Sequence, residues 1–401
     1  MKFNILKILI PFLLLFNIVY ADEIYNKNNQ TLDLYGNLNV KNIISKKKAK
    51  STKSVEKYNF DLGLKGTSII NDNLKAFGQF EYTIQINELK SGIKTNKPEF
   101  NVRYPIILQL GFLGLQYNGM TISYGRNYGI LYDTTSYIKK FPIFDEEVYY
   151  TNDHFMFAKA NNLTTYRNNN FLGLDGLNIA LQYQGNNNFN KLEQNGPGWG
   201  TSIEYNLGFG INIIGSYFSS YSNPDPNSSF AKYFFFHPYF KKIDKKHKKI
   251  KLVQKFKKKD DNKKLSNAYA LGIKYNKKNI YLSTVFSETN NSVRYNHNDD
   301  YLLANKTKSL EFLGQYTFND NIQASISYLQ SQGYNIPPGS DFPAGKIDLA
   351  KYLTIGTSYS FSKNFLAYLG YKISLLNNTE YVQSSRIPNK NMIGLGLTYY
   401  F

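Results

Sequence analysis

Cysteine is absent from the 401 residues, and tryptophan occurs once. With no thiols the chain forms no disulfides, so its stability has to come from packing or from backbone pairing. Acids are scarce, with 29 Asp and Glu against 48 Lys and Arg, for a formal net charge of +19. Long apolar runs are missing beyond the first two dozen residues. No later segment reaches the roughly 20 residues that a membrane-spanning helix needs. Histidine is sparse too. His154, His237, His247 and His297 are the whole supply, and none stands at a recognisable spacing from a serine or a metal ligand. The acidic pairs Asp260–Asp261 and Asp299–Asp300 lack the surrounding pattern of a calcium loop. Nothing here points to an enzyme or to a cofactor.

What is present is aromatic and polar. The chain holds 35 Tyr and 29 Phe, yet its mean hydropathy is −0.43. Many aromatics without long apolar runs fit strands that have one greasy and one wet face. The start differs from the rest: Lys2 and Lys7 precede an apolar core from Ile8 to Val19, and Val19-Tyr20-Ala21 suits cleavage after Ala21. Residues 1–21 are therefore expected to be a signal peptide, and 22–401 a single exported domain of charge +17. Much of that charge sits in Lys241 to Lys264, where thirteen lysines meet three aspartates. Such a run reads either as a solvated, self-repelling loop or as a grip for polyanions such as lipid phosphates. No nucleic-acid-binding motif accompanies it, so no nucleic-acid partner is expected.

Period-two alternation recurs along the chain. Ile393, Leu395, Leu397, Tyr399 and Phe401 share one face of the C-terminal stretch, with Gly394, Gly396, Thr398 and Tyr400 on the other. Phe365 to Ser374 and Ala268 to Asn276 repeat the pattern, which marks strands. Seven short polar turns separate strands in pairs: Asn71-Asp72-Asn73, Asn118-Gly119, Asp175-Gly176, Leu207-Gly208, Lys277-Lys278, Asp320-Asn321 and Ser362-Lys363. Alternating with eight long polar segments, they make fifteen connections and sixteen strands. That is the pattern of an all-β, 16-stranded antiparallel transmembrane β-barrel. Closure of such a barrel explains a chain that ends inside a strand, because an unpaired edge is not tolerated in lipid. Tyr399 and Phe401 are then expected at the periplasmic aromatic girdle.

Several stretches carry a family resemblance: "EIYNKNNQTLDLYGNL" (Glu23 to Leu38), "GQFEY" (Gly78 to Tyr82), "YGRNYGILYD" (Tyr124 to Asp133) and "TYRNNNFLGLDGLNIALQYQGNN" (Thr165 to Asn187). The mature chain resembles the general diffusion porins of enteric bacteria, apart from a Lys-rich external loop at about 219–266. The resemblance implies a homotrimer in the bacterial outer membrane, amid lipid and lipopolysaccharide, passing small hydrophilic solutes. It makes the terminal Tyr399 and Phe401 similar to the signal read by the outer-membrane assembly machinery. A third loop, from about Tyr128 to Asp153, would fold inward and set acids against a basic ladder on the wall. Carried over, the loop's acidic positions fall on Lys139 and Ile143, and the ladder falls on Asn37, Asp61, Gln109 and Lys159. Only Lys159 keeps the expected sign, while Asp145, Glu146 and Glu147 supply fresh acids just beyond the tip. Arg126 and Arg167 read as wall residues outside the constriction. The inverted signs at Lys139 and Asp61 reflect either an exchange that reverses part of a transverse field or relaxed constraint. A substrate-specific channel, or a barrel that docks through its basic loop, are the alternatives.

Overall fold

The computed structural model describes residues 21–46, 52–86, 106–139, 143–144, 155–186, 195–222, 264–297, 300–338, 343–384 and 389–401. The expected signal peptide, the Lys-rich run, Asp145, Glu146, Glu147, His154, His237 and His247 lie outside them, apart from Ala21 at the peptide's end and Lys264 at the run's. Sixteen strands form the wall. The first eight are β1 (Gln30–Lys46), β2 (Thr52–Asn71), β3 (Leu74–Gln85), β4 (Ile106–Tyr117), β5 (Met120–Tyr128), β6 (Lys159–Asn168), β7 (Leu177–Gln184) and β8 (Asn195–Gly208). There follow β9 (Ile211–Ser222), β10 (Lys264–Lys277), β11 (Ile280–Asn290), β12 (Lys306–Thr317), β13 (Ile322–Ile336), β14 (Gly345–Ser360), β15 (Phe365–Ser374) and β16 (Met392–Tyr400). Each pairs antiparallel with the next, and β16 returns to β1 from Met392↔Ser45 to Tyr400↔Asn37. The sheet is closed, so its backbone donors and acceptors are satisfied within the wall, as a lipid environment requires. Among the described residues no helix is long and apolar enough to cross a membrane.

The first described residues and the C-terminal strand share one edge of β1. An N-terminal strand, Ala21–Lys27, pairs with β1 from Ala21↔Tyr35 to Lys27↔Gln30, and β16 takes over beyond it. At the junction Gly36 and Phe401 exchange two backbone hydrogen bonds of 2.9 and 3.1 Å. The Phe401 ring stacks on Phe60 at 6.0 Å and lies across Gly36, where a Cβ would come within 2.5 Å of the ring. The last residue is thus part of the sheet.

Alternation decides which face is wet. Along β16, Ile393, Leu395, Leu397 and Tyr399 point outward and are exposed on the isolated barrel, while Met392, Gly394, Gly396 and Thr398 point inward and are buried. The same holds elsewhere: Leu113, Tyr124, Leu181, Leu271, Ile355 and Leu369 form an outer apolar surface fitted to lipid. Near the short turns the outer aromatics pack on one another. Tyr316–Phe318 and Tyr359–Phe361 meet edge to face at 4.9 and 4.8 Å, and Phe361 reaches Phe365 at 5.5 Å.

Most of the seven short turns fall where the sequence places them. Asn71 Oδ1 accepts the amides of Asn73 and Leu74, and Asn118-Gly119 takes the positive φ values of a tight hairpin. Two turns are displaced. The reversal expected at Leu207-Gly208 lies at Phe209-Gly210, because β8 continues through Gly208. Gly210 combines a φ of 89° with a carbonyl 2.7 Å from where a Cβ would stand, so glycine fits both demands there. Likewise Lys277 still pairs with Ile280, which moves the next reversal to Lys278-Asn279. Strand pairing runs to Ser222 and Lys264, so the Lys-rich connection is shorter at each end than the expected 219–266. One long loop also carries its own hairpin, Arg294–His297 with Asp300–Leu303, where the polar sequence predicts only loop.

Candidate pore constriction

The third long loop leaves β5 and turns into the barrel as a narrow ribbon. Gly129 and Leu131 donate to the carbonyls of Ala158 and Met156 at 2.8 and 3.1 Å, so the outgoing and returning chains hold each other. A short helix, α1 (Tyr132–Thr135), and one 3-10 turn, Ser136–Ile138, follow. The wall behind them offers small residues at several positions, beside larger ones such as Phe218. Ile130, Leu131, Phe155 and Met156 are fully buried in a cluster with Ala160, Ala180, Ala268 and Ala270. At Gly200 a Cβ would come 2.6 Å from Ile130, so a larger wall would push the loop out.

Polar groups fix the root of the loop. Arg167 donates two hydrogen bonds to the Asp133 carboxylate, at 2.8 and 2.9 Å, and Ser202 donates a third at 2.6 Å. Thr134 and Ser216 join their hydroxyls. Tyr137 is gripped on three sides. Its hydroxyl donates to Glu204 Oε1 at 2.5 Å, its carbonyl accepts from Tyr281 and Ser283 at 2.6 and 2.8 Å, and Lys274 Nζ lies 4.1 Å above its ring. Lys274 also donates to Glu204 at 3.2 Å, so the buried carboxylate is paired. Burial first, and the neighbouring Glu204 second, push the Tyr137 phenol well above its ordinary range, which keeps it a donor.

The tip is held differently. Ile143 is 1% exposed and Phe144 6%, packed with Tyr281, Leu313, Tyr368 and Met392. The sequence reading makes Ile143 a lining residue of the constriction. The structure instead turns it into the wall, because an isoleucine gains more from an apolar seat than from water.

The opposing wall brings the remaining expected residues together in two groups. Asn37 and Asp61 are cross-strand partners on β1 and β2, with Asn37 Nδ2 donating to Asp61 Oδ2 at 2.9 Å. Thr83 on β3 donates to the other oxygen of Asp61. Lys159 donates to Gln109 Oε1 at 2.6 Å and stands 4.0 Å from Glu81, which in turn accepts from Tyr35 at 2.9 Å. From the loop side Lys139 Nζ sits 4.4 Å over the ring of Tyr132. Tyr132 stacks on Tyr128 at 4.3 Å, and the Lys159 ammonium lies 5.4 Å from the Tyr128 ring centre. Lys139 and Lys159 therefore cap a single column of two tyrosines, each cation near a ring's electron-rich face. Asp145, Glu146 and Glu147 lie outside the described residues. Arg167, read from sequence as plain wall, belongs to the loop's root, while Arg126 bonds Leu108 O and Asn161 within the wall.

Sequence reasoning missed Glu81, Tyr128 and Tyr132. Glu81 had a signal: Gln79, Glu81 and Thr83 alternate with Phe80, Tyr82 and Ile84, which assigns the polar set to the lumen. The two tyrosines had none, since their stacking depends on the path of the loop.

A closed wall with an apolar outside, a polar lumen and an inward loop that narrows it defines a transmembrane β-barrel channel. The comparisons with known proteins specify which. The chain belongs to the Gram-negative porin family, whose model matches residues 27–401. Outer membrane porin F of Xenorhabdus nematophila is 34% identical, and outer membrane porin N of Escherichia coli 36%, each over the full length of both chains. A porin-like protein of Buchnera aphidicola is 33% identical over 99% of this chain and 98% of its own. The solved structure of Salmonella typhi OmpF, in complex with daunomycin, shares 31% identity and a TM-score of 0.76, covering 95% of this chain and 100% of that one. This chain is thus an outer-membrane porin, a water-filled channel for passive diffusion of small hydrophilic solutes and ions.

Proposed function

We propose that selection in this porin rests on a constriction whose transverse field runs partly from the loop to the wall. Lys139 supplies positive charge on the loop, and Asp61 with Glu81 supplies negative charge on the wall. The observation that carries the reading is the placement of Lys159: the one basic rung stands 4.0 Å from Glu81, so the wall at that level is not simply positive. In a confined pore, charges act through less water than at an open surface, so a few residues bias cation against anion flux. Asn37 and Gln109 are neutral members that orient Asp61 and Lys159. Ile143 places the loop, and Asp145, Glu146 and Glu147 add acid beyond its tip.

The working unit in this reading is a homotrimer set in outer-membrane lipid and lipopolysaccharide, without catalytic chemistry of its own. Residues 1–21 direct export, and the outer-membrane assembly machinery reads Tyr399 and Phe401. Full-length kinship to named porins and a C-terminus paired into the sheet support this.

The test is the reversal potential of the refolded protein in a planar bilayer under a KCl gradient. Lys139→Glu is expected to move it toward cation selectivity, and Asp61→Lys toward anion selectivity. Conductance in groups of three steps is expected from a trimer. Two variants that leave the potential where it was would remove these residues from the constriction.

A further inference from the structure

The tip of the third loop rests where the wall lacks a side chain. Gly394 points into the lumen from β16, and a Cβ added to it would stand 2.6 Å from both Cδ1 and Cγ1 of Ile143, and 3.1 Å from Phe144 Cζ. Real Cβ atoms do not approach so closely, so any other residue at 394 has to move the Ile143 side chain out of its seat. Around the glycine the seat is apolar: Leu313 and Tyr281 come from β12 and β11, Tyr368 from β15 and Met392 from β16, while Ile43 and Leu366 flank them. Lys372 completes the rim. Its ammonium lies 3.8 Å from the ring centre of Tyr352 and 5.7 Å from that of Phe144, spanning wall and loop.

The two partners come from distant parts of the chain, and neither carries charge. Ile143 stands at a position where the porin resemblance places a loop acid, and it has exchanged the water of the lumen for a socket. We propose that Gly394 is the positioning residue for transport: its missing side chain lets the Ile143–Phe144 tip lie flush in the wall, and this seat sets the bore left between the loop and the opposite wall. The charged residues then select within a width that an apolar contact has fixed. The proposal rests on the reading that the third loop narrows the channel.

Gly394→Val tests it. The added methyl groups occupy the place of the Ile143 side chain, and the only space open to the tip is the lumen. The expected result is a smaller single-channel conductance step. Pairing it with Ile143→Ala returns the room and is expected to restore the wild-type step. Because Gly394→Val alters the wall, a failure to fold is covered by Ile143→Ala alone, which empties the seat without crowding it. That variant is expected to close at a lower voltage than wild type, since its loop is less firmly held. An unchanged conductance in Gly394→Val, a reduction that Ile143→Ala does not relieve, or an unchanged closure voltage in Ile143→Ala would overturn the proposal. A wild-type barrel that fails to conduct would strike instead at the pore reading, before any variant is compared.

Discussion

The third loop is fastened at two places by different physics. At its root, Asp133 and Tyr137 engage Arg167, Ser202, Glu204, Lys274, Tyr281 and Ser283 through directed hydrogen bonds and paired charges. At its tip, Ile143 and Phe144 fill an apolar hollow at Gly394. Directed bonds fix an orientation, and leaving one buried partner unmatched is costly. An apolar seat fixes a depth, and it tolerates changes of shape if volume is kept. The loop gains direction at one end and reach at the other. Between the two ends Lys139 and Tyr132 are carried into the lumen, where selection occurs.

The contrast can be broken most sharply at the root. Tyr137→Ala empties a fully buried aromatic site and strips Glu204 of a donor. A loss of about 3–5 kcal/mol is expected, the usual range for deleting a buried aromatic ring. Denaturant unfolding in detergent micelles would measure it, and bilayer traces should show noisy, enlarged conductance. If the traces stayed quiet, the tip alone would suffice to hold the loop.

Asp133→Asn is a smaller change. It keeps the shape but removes the charge facing Arg167. The Arg167 side chain is 37% exposed to the lumen, so solvent screens part of the loss. Roughly 1–2 kcal/mol is expected. Closure voltage should fall, and more so at low salt than at high salt. An equal fall for Ile143→Ala at both salts would sharpen the difference between a charged root and an apolar tip.

The smallest effect concerns alkaline pH. The folded Tyr137 phenol ionises above its ordinary value of 10.0, while the unfolded phenol ionises at that value. The root's contribution is therefore complete below pH 10, and it declines as pH rises from there through the folded value. The stability gap between wild type and Tyr137→Phe should accordingly shrink between pH 9 and 11. The gap between wild type and Ile143→Ala should not change over that interval.

Much of the architecture was legible in the residues. Alternation at Ile393 to Tyr399 and at Phe365 to Ser374 assigns faces correctly, because successive side chains of a strand point to opposite sides whatever the partner. Turn chemistry placed five of the seven reversals. At Phe209-Gly210 it slipped by two residues, since Gly208 is an equally good turn former by itself, and only the carbonyl of Asn276 beside Gly210 separates them. Of the constriction, matching the family's positions gave Asn37, Asp61, Gln109 and Lys159 as rungs of one ladder but not their contacts, which join the cross-strand neighbours Asn37 and Asp61, and Gln109 on β4 with Lys159 on β6. Ile143 falls at the constriction by matching a position where the family carries a loop acid, and an isoleucine in that place has no reason to face water as the acid does.

The strands, their wet and greasy faces and the need to close are written in the order of the residues. These follow from a period of two and from the cost of an unpaired strand edge in lipid, which are local properties of each segment. The meeting of Lys139 with Tyr132 above Tyr128, the grip of Glu204 on Tyr137 and the fit of Ile143 into the hollow at Gly394 were decided by the tertiary structure alone. Each joins residues with no shared local pattern. They come together only after the sheet has closed on itself and the third loop has turned inside it.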